Sequence, residues 1–245
     1  MTAPAPVRPQ PPVAVLWDMD GTLIDTEPHW SVAEHELVAS FGGTWTVEDG
    51  MALVGNPMAV TTAALQARGV DLSAAEIAER LQDHVRAAVA REVPWQPGAH
   101  ALLAAVVAAG IPCALVTSSA GVLAHPFARE AGMFDAVVCS DDVAHPKPHP
   151  MPYLLAADRL GVDVTRCLVV EDSPAGLTAG LSAGARVLAV QAFTPIVDKA
   201  RTLGVPCVLS LDGLSVDDLG AVARGETIAA DVTRGDVTPG IAAHG

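Results

Sequence analysis

A chain of 245 residues, 51% of them hydrophobic, can bury one sizeable core and a smaller insert without disulfide or metal staples. Its formal net charge of −14, from 14 Lys and Arg against 28 Asp and Glu, repels nucleic acid and anionic membrane surfaces and argues against both as partners. An anionic substrate must then be gripped by a local device, and Lys147 and Lys199 are the only lysines available to build one.

Residues 1–12, "MTAPAPVRPQPP", are rich in Pro and Ala and lack the apolar centre of a signal peptide, so they read as a flexible leader of a cytoplasmic protein. A first apolar run, "VAVLW" at 13–17, is followed by four carboxylates within "DMDGTLIDTEP". Nearly a hundred residues then separate it from the next strand-like run, far more than one crossover helix needs. Inside that interval Trp30, Glu34, Leu37 and Phe41 recur at helical spacing, as do Ile77, Leu81, Val85 and Val89, which predicts an all-helical insert over 28–95 with the first stripe as its core. The stretch "ALLAAVVAAGIPCALV" has the apolarity of a membrane span, but Gly110 and Pro112 divide it into a helix of about ten residues and a strand.

Further runs follow: "CALV" at 113–116, "DAVVC" at 135–139, "CLVV" at 167–170, "RVLAV" at 186–190 and "PCVLSL" at 206–211. Continuous rather than alternating apolarity marks strands covered on both faces, and helix-like segments separate them. The expected fold is therefore α/β: a doubly wound, Rossmann-like parallel sheet, with core residues 13–27 and 96–222 and a helical cap domain inserted after the first strand. Residues 223–245 show little periodicity and are expected to form a loose tail. Cys113, Cys139, Cys167 and Cys207 each lie in an apolar run without a C-x-x-C pair, as buried thiols of a reducing compartment do.

Doubly wound sheets bind ligands at the carboxyl ends of their strands. Asp18 ends the first strand, Thr117 and Ser118 the second, Lys147 lies in the loop after the third, and Glu171 and Asp172 end the fourth. Taken alone, Asp18 and Asp20 fit a capped turn, and Thr117 and Ser118 fit a helix cap that is also an anion site. His145 and His149, flanked by prolines, read as loop residues without a third metal ligand nearby. The crowding of like charges is resolved by a hard cation such as Mg²⁺, which takes oxygen ligands and bridges carboxylates to a phosphate. One aspartate can then attack phosphorus while the other handles the proton of the leaving oxygen.

"DMDGTLIDTEP", "LVTSS", "KPHPMPYL" and "VVEDSPAG" resemble, in order and spacing, the four motifs of the haloacid dehalogenase superfamily of aspartyl phosphatases. The insert resembles the cap of the subgroup that includes β-phosphoglucomutase, phosphoglycolate phosphatase and the hexitol or 2-deoxyglucose 6-phosphate phosphatases. The resemblance implies Asp18 as nucleophile, Asp20 as general acid and base, Thr117 as a hydroxyl donor to the phosphoryl group and Lys147 as the orienting cation. It implies Mg²⁺ held by Asp18, Asp20 through its main-chain carbonyl, Glu171 and Asp172, with Asp172 the safer of the last pair.

Asp20 separates this chain from the dehalogenases, and the absence of lysine from 28–95 separates it from phosphonate hydrolases of the same superfamily. The mutase alternative expects an arginine in a cap turn that here reads "GNPM", with Met58 in that place, and a histidine where Trp30 stands. The expected reaction is therefore hydrolysis of a small phosphorylated metabolite, a sugar or polyol phosphate, by a monomer or weak dimer. Glu27, Asn56 and Ser118 are the expected substrate contacts. A non-catalytic sensor of phosphorylated metabolites is the alternative of another class; its expected signature is loss of Asp18 or Asp20, and both are present.

Overall fold

The computed structural model describes residues 11–53, 58–191 and 195–234. Among these, six strands form one wholly parallel sheet: β1 (Val15–Trp17), β2 (Cys113–Val116), β3 (Ala136–Val138), β4 (Leu168–Glu171), β5 (Arg186–Val190) and β6 (Cys207–Val208). Their order is β3-β2-β1-β4-β5-β6. Val15 pairs with Cys113 on one side and Leu168 on the other, so the direction of winding reverses beside β1. That reversal opens a crevice at the carboxyl ends of β1 and β4.

Across the insert, between β1 and residue 95, the helices among the described residues are α1 (Glu27–Ser40), α2 (Val47–Met51), α3 (Met58–Ala67) and α4 (Ala74–Arg91), with no strand among them. They enclose a separate apolar cluster built on Leu37, Val38, Trp45, Leu65, Ile77 and Leu81. Phe41, expected in that core, is 37% exposed at the end of α1, and Trp45 from the following loop fills the space instead. The Trp45 indole N–H donates to the buried Glu34 carboxylate at 3.1 Å, which lets a charged residue occupy the inner stripe of α1. A reciprocal Ser73–Glu76 cap starts α4. Where the chain enters and leaves the insert, Asp25 N–H bonds to Pro94 at 2.8 Å and Gln96 N–H to Leu23 at 2.8 Å.

The remaining helices are α5 (Ala99–Ala108), α6 (Gly121–Ala131), α7 (Met151–Leu160), α8 (Pro174–Ser182), α9 (Val197–Leu203) and α10 (Val216–Ala223). Successive strand residues point to opposite faces. Val15 and Trp17 accordingly pack with Leu102, Phe127 and Leu219 from α5, α6 and α10, while Ala14 and Leu16 pack with Tyr153, Leu177 and Ala200 from α7, α8 and α9. All four cysteines are buried free thiols. No helix among the described residues is long and apolar enough to cross a membrane; the suspect stretch is split between α5 and β2, as Gly110 and Pro112 predict.

Two expectations need correction. The run at 206–211 pairs only over Cys207–Val208, because the chain then leaves the sheet to pass the start of α5, where Ser210 donates to the Pro97 carbonyl at 3.2 Å. The segment expected to hang loose from 223 is packed as far as Arg234: Ile228 is 4% exposed, Val232 N–H bonds to Cys207 at 2.8 Å, and the Asp231 carboxylate accepts from Cys207 N–H at 3.1 Å. Isolated apolar residues spaced by a carboxylate carry no period, so periodicity is blind to this sheet-edge closure. Residues 1–10, Asn56 and residues 235–245 lie outside the described residues.

The packed tail makes a direct forecast. Ile228→Ala lowers unfolding free energy in urea by about 2–4 kcal/mol, the usual cost of emptying a buried aliphatic site. Leu209→Ala, at a residue 56% exposed, shifts it by less than about 0.5 kcal/mol.

Candidate active site

Asp18 follows β1 at the reversal of strand order and is 6% exposed. The ammonium of Lys147 donates to Asp18 Oδ1 at 2.7 Å, to Glu171 Oε1 at 2.6 Å and to the Val116 carbonyl at 2.8 Å. Its three protons are thus spent on the ends of β1, β4 and β2. Asp18 Oδ2 accepts no hydrogen bond from the described residues. Glu171 is fully buried: Oε1 also accepts from the Tyr153 hydroxyl at 2.8 Å, and Oε2 accepts from the Ser173 N–H and hydroxyl, both at 3.0 Å. The Lys147 ammonium also stands 5.1 Å from the Tyr153 ring centre.

Asp20 is gripped by hydroxyls. Thr26 and Ser119 donate to it at 2.7 Å each and Thr117 at 3.2 Å, while Thr117 Oγ1 accepts the Ser119 N–H at 2.9 Å. Thr26 precedes α1, whereas Thr117 and Ser119 follow β2, so the carboxylate is fixed from both ends of the crevice. Gly21 adopts φ +85°, and a Cβ there would overlap the Asp172 carboxylate. A Cβ on Gly176 would likewise overlap Glu171. Both glycines leave room for acids pressed against backbone.

The electrostatics follow from burial. Desolvation and the Glu171 charge push the Asp18 carboxyl up against the opposing pull of Lys147. Desolvation and the charges of Asp18 and Glu171 push Asp172 up more strongly. Burial would lower the Lys147 ammonium, but Asp18 and Glu171 outweigh it and hold the amine charged. One cation among Asp18, Asp20, Glu171 and Asp172 leaves the crevice short of positive charge. Oxygen atoms of Asp18, Glu171 and Asp172 lie within 4.8 Å of one another, a donor set that suits a hard divalent cation. Glu171 has each oxygen already taken by two donors, so the open ligand oxygens belong to Asp18 and Asp172.

Asp18, Asp20, Thr117, Lys147, Glu171 and Asp172, chosen from sequence, thus converge in one crevice. Ser118 is exposed beside them and makes no hydrogen bond among the described residues. Glu27, the first residue of α1, is partly buried, and desolvation with the charges of Asp20, Glu34 and Asp25 pushes its carboxyl up to about 7. Sequence reasoning did not single out Thr26, Ser119, Tyr153 or Thr22, whose hydroxyl donates to Asp172 at 3.3 Å. Each lies inside a quoted motif, but a hydroxyl in a turn or an aromatic in a helix reads as capping or core until its partner is known.

The chain matches the haloacid dehalogenase-like hydrolase family over residues 13–184. It is 36% identical over 181 residues to hexitol phosphatase A of Escherichia coli, covering 72% of this chain and 82% of that one. It is 34% identical over 187 residues to an N-acetylmuramic acid 6-phosphate phosphatase of Pseudomonas aeruginosa, covering 73% and 81% respectively. A CbbY variant of Rhodobacter sphaeroides, solved with xylulose 1,5-bisphosphate, superposes with a TM-score of 0.72 at 27% identity over 83% of this chain and 96% of that chain.

The perturbed Glu27 carboxyl carries a stability signature. With its folded value above the unfolded one, the folded state holds the extra proton between about pH 4.5 and 7, so stability falls as pH rises through that window. Glu27→Gln therefore raises the unfolding free energy at pH 8, by an amount on the order of 2 kcal/mol once partial solvent exposure is discounted, with a higher thermal midpoint, and the gain vanishes below about pH 4.5. Calorimetric melts of both proteins across pH 4 to 8 measure it.

Proposed function

The chain belongs to the haloacid dehalogenase-like hydrolases, and within that family we propose that it is a phosphatase of a small phosphorylated carbohydrate, acting through an aspartyl phosphate on Asp18. The observation that carries the reading is the Lys147 clamp: one Asp18 oxygen is held at 2.7 Å by a buried ammonium while the other accepts no hydrogen bond from the described residues, two residues from a second, separately held carboxylate.

In the first step Asp18 Oδ2 attacks phosphorus, the bond from phosphorus to the leaving oxygen breaks, and Asp20 delivers a proton to that oxygen. In the second, Asp20 takes a proton from water as the water oxygen displaces Asp18 and releases inorganic phosphate. Lys147 stabilises the growing charge on the transferred group, and Glu171 with Tyr153 positions that ammonium. Asp18 and Asp172, with the main-chain carbonyl of Asp20, are the residues that would hold Mg²⁺. When bound, the ion supplies the positive charge that Lys147 alone does not provide. Thr117 and Ser118 stand at the end of β2 to meet phosphoryl oxygens, and Glu27 enters from α1 as an acceptor for a substrate hydroxyl.

Hydrolysis is preferred over mutase chemistry on the cap residues. A mutase must grip a second phosphate, whereas Met58 and Trp30 are partly buried against the apolar cluster of the insert and offer no cation. Buried free thiols support a reducing, cytoplasmic setting.

Asp18→Asn abolishes phosphate release and chelation by EDTA does so reversibly, each read by phosphate assay over a panel of sugar and polyol esters with Mg²⁺. Substantial turnover by either would refute the mechanism. With Asp20→Ala the loss is greatest for alkyl esters and smallest for p-nitrophenyl phosphate, whose leaving group needs no proton; a uniform loss would limit Asp20 to shaping the turn. With β-glucose 1-phosphate and a bisphosphate primer, inorganic phosphate forms and glucose 6-phosphate does not accumulate, whereas its accumulation would reinstate the mutase.

A further inference from the structure

A cleft of about 320 Å³ opens beside Asp20, between α4 of the insert and α6 of the core, on the large side for a water pocket and within the range of small-ligand sites. Asp20 and Thr26 line it, as do Val85 and Val89 from α4 and Leu123 and Phe127 from α6. Arg86, Arg129 and Glu130 line it as well, and all three are exposed. None of these α4 and α6 residues is used by the mechanism above.

Two features decide what such a cleft accepts. First, Asp20, the residue that serves the leaving oxygen in the proposed reaction, lines it, which puts the cleft next to the organic part of a bound ester. Second, its walls are aliphatic and aromatic. A plain polyol would bury hydroxyls there without partners, which is unfavourable, whereas a methyl-bearing substituent gains from the same contact. The exposed residues then determine the polar end. Arg86 is offset by Asp83 at 2.8 Å, whereas Arg129 has no ion-pair or hydrogen-bond partner among the described residues. In a chain of net charge −14, an unpaired guanidinium beside an apolar cleft is complementary to a carboxylate, and Glu130 can accept a hydroxyl next to it.

We infer that the cleft between α4 and α6 is a leaving-group site for a carbohydrate phosphate that carries both an apolar substituent and a carboxylate, the substituent lying against Val85, Val89, Leu123 and Phe127 and the acid meeting Arg129. This rests on the phosphatase reading above and narrows it from neutral polyols to substituted sugar acids.

Four esters separate the two contributions: glucose 6-phosphate has neither feature, N-acetylglucosamine 6-phosphate has a methyl-bearing acetamido substituent, 6-phosphogluconate has the carboxylate, and N-acetylmuramic acid 6-phosphate has both. kcat/KM is expected to be highest for the last and at least about tenfold above glucose 6-phosphate, the scale on which pocket contacts discriminate. Arg129→Gln is expected to cut the ratio of N-acetylmuramic acid 6-phosphate to N-acetylglucosamine 6-phosphate at least about fivefold, with partial return in Arg129→Lys. Val89→Asp, which charges the wall, is expected to raise KM for the acetylated esters.

Equal or better turnover of glucose 6-phosphate overturns the inference while leaving the phosphatase standing. An unchanged ratio in Arg129→Gln overturns the carboxylate assignment. If p-nitrophenyl phosphate is also untouched, the phosphatase reading fails, and calorimetric binding of N-acetylmuramic acid 6-phosphate to wild type and to Val89→Asp decides the cleft by itself: equal affinities, or no binding, overturn it.

Discussion

A single buried ammonium holds together a cluster of acids that would otherwise repel one another. Lys147 donates to Asp18, to Glu171 and to the Val116 carbonyl, and thereby ties the ends of three neighbouring strands at the point where the sheet changes direction. A buried charge costs several kcal/mol unless every donor and acceptor around it is satisfied. Here the satisfaction is nearly complete: Tyr153 and Ser173 take the remaining valences of Glu171, and Gly176 clears the space that this carboxylate occupies. The one conspicuous opening among the described residues is Asp18 Oδ2, and the proposed nucleophile is the oxygen so left open.

The second carboxylate is organised by a different principle. Asp20 has no cationic partner among the described residues; three hydroxyls hold it by hydrogen bonds. The two aspartates lie two residues apart and still occupy distinct environments, one paired with a charge and the other with neutral donors. Separate environments are how adjacent groups of one chemical type come to serve separate roles. The turn at Gly21, directly after Asp20, leaves room for the Asp172 carboxylate against its backbone.

The sheet was legible because a parallel sheet covered on both faces demands continuous apolar runs, and "CALV" and "RVLAV" coincide with β2 and β5. The charged residues of the crevice were legible because strand ends are where such a sheet binds ligands. What escaped depends on contacts between distant segments. Thr26 meets Asp20 only because the hinge into α1 folds back, and Tyr153 meets Glu171 only because α7 lies across the sheet from α5 and α6. Nothing in "VVEDSPAG" tells that four donors surround the Glu171 carboxylate. Phe41 and Trp45 exchanged places because a helical stripe cannot foresee a loop aromatic that fills the core more deeply.

Helix α4 belongs to two interiors at once. Ile77 and Leu81 are anchored in the cluster of the insert, whereas Val85, one turn further on, is anchored in the cluster of the sheet. An unbroken helix transmits displacement along its length, so a tilt of the insert that reshapes the space above Asp18 also slides the wall opposite Phe127. The crevice at the strand ends and the cleft beside α6 therefore share one mechanical coordinate, the rod of α4.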